Sequence, residues 1–181
     1  MRKFNTTGIC YPQLHYMVLN EYEADHKTGM DVAEMTQLIL DYTFGYPYLV
    51  SKLCQLIDSK NLVCNNEGFL EAVKRLLVEE NTLFSELFDL MDSYPAMKKI
   101  VESLVNGQHI SYNCYADGLN IASTFNIISN DNGQAIISNK IFETRFKNYF
   151  EFEKSFNFNK SKVSGVRTLK FGDKEIVEAV V

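Results

Sequence analysis

Three histidines and four cysteines are the side chains in this sequence best suited to nucleophilic or metal chemistry. His109 and Cys114 lie closest together, and a nucleophile–base dyad would need them in direct contact. His15 and His26 stand apart, and Cys10, Cys54, Cys64 and Cys114 show neither a CxxC nor a metal-ligand spacing. Glu79-Glu80 and Glu151 with Glu153 are carboxylate pairs on or near helices, where such pairs read as solvated surface. No nucleophile elbow, zinc pattern or calcium loop is present, so no metal and no cofactor is expected. None of the nine glycines is followed by Lys, so there is no P-loop to cradle a triphosphate. No apolar strand ends in Asp to hold Mg²⁺ either. Phosphoryl transfer depends on placing those charges, so the chain is not expected to be a self-sufficient ATPase, or an enzyme at all.

The elements that would position such residues are mostly helices. Residues 1–18 read as irregular, with Gly8 and Pro12 as breakers. A helical register begins at Asp31, a good N-cap, with Glu34 completing a capping box. Met35, Leu38, Ile39 and Tyr42 follow on one face, and Gly45-Tyr46-Pro47 ends the helix and opens the next. That second helix carries Leu49, Val50, Leu53, Cys54 and Ile57. Phe69 to Leu77, Leu83 to Met91, and Pro95 to Leu104 mark three more, the last stopped by Gly107. Gln108-His109-Ile110 is short and extended, Tyr112-Asn113 reads as a turn, and residues 115–124 are expected to be helical. Phe125–Ser129 and Gln134–Ser138 flank Asn130-Asp131-Asn132-Gly133, a hairpin signal with a loop longer than two residues. Ile141, Phe142, Phe146, Tyr149 and Phe150 mark a following helix. Helix, short strand, helix and hairpin in this order outline a reduced winged-helix unit. From Ser155 the chain turns polar, then ends in two strand-like pieces, Val166–Phe171 and Glu175–Val181.

Composition is that of an ordinary globular chain: 181 residues, 46% hydrophobic and 23% charged. The net charge of −5 argues against whole-surface attraction to nucleic acid or anionic membrane. The acidity is uneven, with 7 basic and 13 acidic side chains in residues 1–91 against 11 and 10 in residues 92–181. Cys54 sits in an apolar run as a small hydrophobe, and reduced thiols imply a cytoplasmic setting. Met1-Arg2-Lys3 runs directly into polar residues with no signal-peptide core, and no apolar run suits a membrane span.

Two stretches carry a resemblance. Phe4-Asn5-Thr6-Thr7-Gly8, then Cys10, Pro12 and His15-Tyr16-Met17-Val18, resembles the N-terminus of the bacterial AAA-like ATPases common in anaerobic gut Firmicutes. Asp41-Tyr42-Thr43, Gly45-Tyr46-Pro47, Leu49-Val50-Ser51 and Leu53-Cys54 resemble the helical lid of the same signal-transduction ATPases. Glu21-Tyr22, Ala24-Asp25, Thr28-Gly29-Met30 and Asn139 to Glu143 match less distinctively. In that family the nucleotide domain lies between the two motifs; here Val18 runs almost at once into Glu21-Tyr22, as if an internal deletion had joined the flanks. The resemblance implies that Asn5, Thr6, Thr7 and Gly8 would flank adenine, and that Gly45, Tyr46 and Pro47 would set a helix start beside the nucleotide. A plain Pro-started helix fits the second motif equally well, and Phe44 stands where the family has a small residue. Without a P-loop, ATP binding is not expected. Some relatives carry a nuclease-like domain beyond this region, but Glu178 is followed by Ala179 and Val180, so no nuclease is assigned.

The expected architecture is therefore mainly α: an irregular arm (1–20), a lid-like helical bundle (21–92), a reduced winged helix (93–153), and a polar linker with a short β-rich tail (154–181). The expected role is a non-catalytic regulatory or protein-interaction module derived from such an ATPase, in the extreme a vestigial one. Its contact face is expected at Phe44, Tyr48, Leu49, Lys52 and Leu53. Met35, Leu38, Ile39, Leu49, Val50, Leu53 and Ile57 are too many for one narrow stripe, which points to self-association or a protein partner. One alternative is a weak DNA-binding accessory protein, although residues 115–124 carry no Lys or Arg. Another is a nucleotide-responsive subunit completed by an intact ATPase in trans.

Overall fold

The computed structural model describes the backbone of residues 12–163, 168–171 and 174–177, and the side chains of 17–156. The described chain is mainly α, with eight helices and two small antiparallel hairpins. The first helix, α1 (Pro12–His26), lies where an irregular arm was expected up to residue 18. Pro12 opens this helix rather than breaking the chain, because a proline in the first turn forfeits no helical hydrogen bond. The helix is hard to see in the sequence because residues 17–26 bury one side chain, Leu19, and so write no apolar stripe.

Five helices then stack through periodic apolar faces. Asp31 caps α2 (Val32–Thr43), its carboxylate accepting from the N–H groups of Ala33 (2.9 Å) and Glu34 (3.0 Å). Pro47 occupies the first position of α3 (Pro47–Ser59). Asn65 caps α4 (Asn66–Val78) and Asn81 caps α5 (Thr82–Ser93), each through its side-chain carbonyl. Pro95 opens α6 (Pro95–Val105), which closes in a Schellman motif. Its two signature bonds run from Gln108 N–H to Ser103 C=O (3.0 Å) and from Gly107 N–H to Leu104 C=O (2.9 Å).

The second half folds back on these helices. Ile110 and Tyr112 extend the hairpin of β1 (Ile128–Asp131) and β2 (Gln134–Ile137): Ala135 donates to Ile110 C=O and Tyr112 donates to Gly133 C=O, both at 2.8 Å. Asp131 pairs with Gln134, so the connecting loop is two residues and not the longer one the sequence suggested. Asn132 (φ 51°) and Gly133 (φ 85°) both take left-handed conformations, the signature of a type I′ turn whose twist matches its strands. The helix expected over 115–124 is shorter, α7 (Leu119–Thr124), because Asn113 accepts from Tyr115 N–H and turns the chain first. Phe125–Ile127 is a connection rather than strand.

Asn139 starts α8 (Lys140–Val163), which reaches well past the polar linker expected from residue 154. Among the described residues one hydrophobic cluster runs from Leu19 to Phe150. Phe142 meets Tyr46 edge-on (5.1 Å between ring centres) and Phe84 (6.3 Å), while Phe146 meets Phe88 (6.3 Å). α8 also packs on α2, α4, α6 and β2. The boundary drawn at 92/93 is therefore not a break in packing, and those at 20/21 and 153/154 fall inside α1 and α8. The tail forms a hairpin of β3 (Thr168–Phe171) and β4 (Lys174–Val177); Val166, Arg167 and residues 178–181 of the two strand-like pieces lie outside the described residues.

Candidate functional site

The residues singled out between Phe44 and Leu53 form the corner that joins α2 to α3. Buried Thr43 organises it: its hydroxyl donates to Ile39 C=O (2.7 Å) and accepts from Gly45 N–H (3.0 Å). Phe44 ends α2 in the left-handed region (φ 51°, ψ 31°), its N–H closing on Leu40 C=O at 2.8 Å. Gly45 follows at φ 70°, and Tyr46 N–H bonds Thr43 C=O at 3.0 Å. Tyr46 leans its half-buried ring on Phe142; burial, and then the nearby charge of Glu86, push its hydroxyl pKa upward. No side chain caps α3, which starts directly at Pro47. Gly45, Tyr46 and Pro47 thus share one rigid turn, while Asn5, Thr6, Thr7 and Gly8 lie outside the described residues.

The expected contact face divides in two. Phe44 (39% exposed) and Tyr48 (37%) stand at the surface, and half-buried Lys52 pairs with Glu79 at 3.1 Å. Leu49 and Leu53 are fully buried, which removes them from any face open to a partner. They sit one residue, or about 100° of helix rotation, from Tyr48 and Lys52, and that rotation turns them into the core. The stripe expected to stay uncovered is closed within the chain: Met35, Ile39, Leu49, Leu53 and Ile57 are buried, and Leu38 and Val50 pack half-buried against them. The cover comes from α1, α4 and α8.

The other chemical candidates among the described residues have structural roles or lie at the surface, while Cys10 and the His15 side chain lie outside the described residues. His109 and Cys114 are both exposed, on either side of the Ser111–Gln134 bridge. Glu153 accepts from Lys98 Nζ (2.8 Å) and from the Tyr149 hydroxyl (3.0 Å), and Lys98 also reaches Asp92 at 2.8 Å. Burial opposes the charge on Lys98, but hydrogen bonds to Asp92, Glu153 and Tyr149 outweigh it and hold the ammonium pKa well above its ordinary value. This cluster ties α5 and α6 to α8. Among the described residues no three His, Cys, Asp or Glu side chains gather within reach of one metal ion.

Sequence reasoning missed a cavity of about 120 Å³ between α1, α2 and α3. Leu19 and Tyr22 wall it on one side, Met35 and Ile39 on another, with Cys54 and Cys64 opposite. Burial pushes the Cys54 thiol pKa upward, and nearby Cys64 adds to the shift. Tyr22 donates to Asp58 at 3.3 Å and stacks on His26 at 4.0 Å. Glu23, one residue on, closes the end of α1 by accepting from the N–H groups of Thr28 (3.1 Å) and Gly29 (2.7 Å) and from the Thr28 hydroxyl. The only signal available in the sequence was the number of sulfur side chains in residues 30–64. In comparisons with known proteins, no family model, no curated protein and no solved structure matches this chain.

Proposed function

We propose that the chain is a non-catalytic protein-interaction module whose contact surface is the α2–α3 corner, centred on Phe44 and Tyr48. The observation that carries this is the conformation of Phe44, a bulky residue at φ 51° that is 39% exposed. A left-handed backbone costs a bulky L residue roughly 1–2 kcal/mol, where Gly or Asn sits with little strain. A strained position that keeps an aromatic ring at the surface suits a contact residue better than a turn residue, and aromatic anchors dominate protein interfaces. Tyr48, in the first turn of α3, adds a second exposed aromatic residue to a corner fixed by Thr43 and Pro47.

The resemblance to AAA-like ATPases supports a regulatory origin, with this corner corresponding to the lid motif and no P-loop to make it a nucleotide site. The succession of α6, the extended 110–112 segment, α7, the hairpin and α8 follows the order of a small winged helix. A protein-docking role suits that unit better than DNA reading, since α7 carries no Lys or Arg. Free thiols at Cys54, Cys64 and Cys114 support a cytoplasmic setting.

A photo-crosslinking residue at position 48 tests the proposal in cells, alongside sedimentation velocity of the purified chain over a wide concentration range. A protein adduct or a self-associated species should form, and Phe44→Asn should abolish it without loss of helicity. A strictly monomeric chain with no adduct at position 48, or an adduct indifferent to Phe44→Asn, refutes it.

A further inference from the structure

We propose that the cavity between α1, α2 and α3 binds a small, uncharged, apolar molecule about the size of one aromatic ring. Its volume of about 120 Å³ approaches that of engineered apolar cavities of about 150 Å³, which stay dry and take up benzene. The wall offers a charged ligand nothing. The Tyr22 hydroxyl is the one side-chain oxygen among the described lining residues, and it is engaged with Asp58. A carboxylate or ammonium entering here would give up its water without a partner.

What the wall does offer is sulfur. Cys54, Cys64, Met30 and Met35 contribute two thiols and two thioethers around one space. Such groups are polarizable, make favourable contacts with aromatic rings, and in methionine adjust their shape to the guest. Burial keeps the Cys54 thiol in its neutral form, in keeping with an apolar guest.

The cavity is partly open, with exposed Val18 of α1 in its lining. Ile39 and Met35 are locked in the core at 1% and 3% exposure, whereas Leu19 is the one buried side chain among residues 17–26 of α1. A partly open pocket of this kind needs no helix displacement to admit a guest. An occupant that adds apolar contacts to Leu19 and Tyr22 also docks α1 more firmly, because it binds the folded chain alone.

The test uses the full chain, toluene as probe, and benzoate as its charged counterpart. Alkylation of each cysteine by iodoacetamide is followed by peptide-resolved mass spectrometry, with exposed Cys114 as internal reference. Toluene at ten times its Kd should slow alkylation of Cys54 and Cys64 about tenfold, by mass action. It should leave Cys114 unchanged, and benzoate should do nothing. Cys64→Leu fills the cavity and should remove the protection of Cys54; should that variant fail to fold, Cys64→Met serves the same purpose. Equal Cys54 alkylation with and without toluene up to its solubility overturns the proposal. So does slowing of Cys114 to the same extent, protection by benzoate, or protection that survives in a folded, cavity-filled variant.

Discussion

The Arg145 guanidinium donates to the main-chain carbonyl of Leu77 at 2.6 Å, tying α8 to the last turn of α4. The same guanidinium lies over the rings of Phe84 (5.2 Å) and Phe88 (5.7 Å), so one side chain links three helices. A cation at a helix C-terminus also meets the negative end of the dipole. Arg145→Ala should therefore destabilise the fold by about 2–3 kcal/mol, combining a lost charged hydrogen bond with lost ring stacking. Arg145→Lys should recover little, because an ammonium lacks the planar face. Urea denaturation measures both, and a loss within error for Arg145→Ala would contradict the account.

Two glycines should respond in opposite ways to one added methyl. A Cβ at Gly68 would stand 1.9 Å from the Val63 carbonyl oxygen, a main-chain atom that cannot step aside cheaply. Gly68→Ala should cost about 3 kcal/mol or more and displace the Leu62–Cys64 loop. At Gly107 a Cβ meets nothing within 4 Å, so only its left-handed backbone resists. Gly107→Ala should cost about 1 kcal/mol. Thermal melts of the two variants should separate them by about 4–8 °C, given that ~1 kcal/mol moves a domain of this size by about 2–4 °C.

The loop after α1 should loosen in acid. The hydrogen bond from the Thr28 side chain, the largest effect, is opposed by burial, but with the N–H groups of Gly29 and Thr28 it holds the Glu23 carboxyl below its ordinary value of 4.5. A carboxyl whose folded pKa is depressed adds stability above the unfolded value and loses it as pH falls through the folded one. Amide exchange at Thr28 and Gly29 should therefore accelerate as pH falls below about 4.5, once intrinsic exchange rates are divided out. In Glu23→Gln that step should vanish; a step unchanged in the variant would assign it to another group.

Nucleotide and DNA chemistry should both be weak or absent. Without a Lys after any glycine, the purified chain should hydrolyse neither ATP nor GTP above background. Magnesium-dependent turnover that survives stringent purification would reverse that expectation. Without a cation on α7, duplex DNA should show no sequence-specific footprint. Any binding through Lys140–Lys174 should fade between low and physiological salt.

Much of this fold was legible because α2 to α6 and the start of α8 each write an apolar stripe with a punctuating cap. Asp31, Pro47, Pro95 and Gly107 marked ends that the structure keeps. α1 was not legible, since a helix that buries Leu19 alone among residues 17–26 has no period to find. The packing of the expected bundle (21–92) on the expected winged helix (93–153) was not legible either: the stripe of Phe142, Phe146 and Phe150 says that α8 is buried, but not against what. Leu49 and Leu53 were placed on a contact face by motif likeness, while their helical phase, shared with Leu56 and Ile57, already pointed inward. The cavity was beyond reach, being assembled from α1, α2, α3 and the loop before α4, none of which announces the space it leaves.

The position of α8 bears on how this protein can be taken apart. Its aromatic side chains pack against Tyr46 at the start of α3 and against Phe84 and Phe88 of α5, while the same helix also lies against α2, α4, α6 and β2. A fragment ending near residue 92 would lose Phe142 and Phe146 and leave Tyr46, Phe84 and Phe88 facing water. Such a truncation would adhere to many proteins indiscriminately, and a screen built on it would report partners that the intact chain never meets. Mapping by deletion is unsafe here; single substitutions at the surface of the α2–α3 corner are the workable alternative.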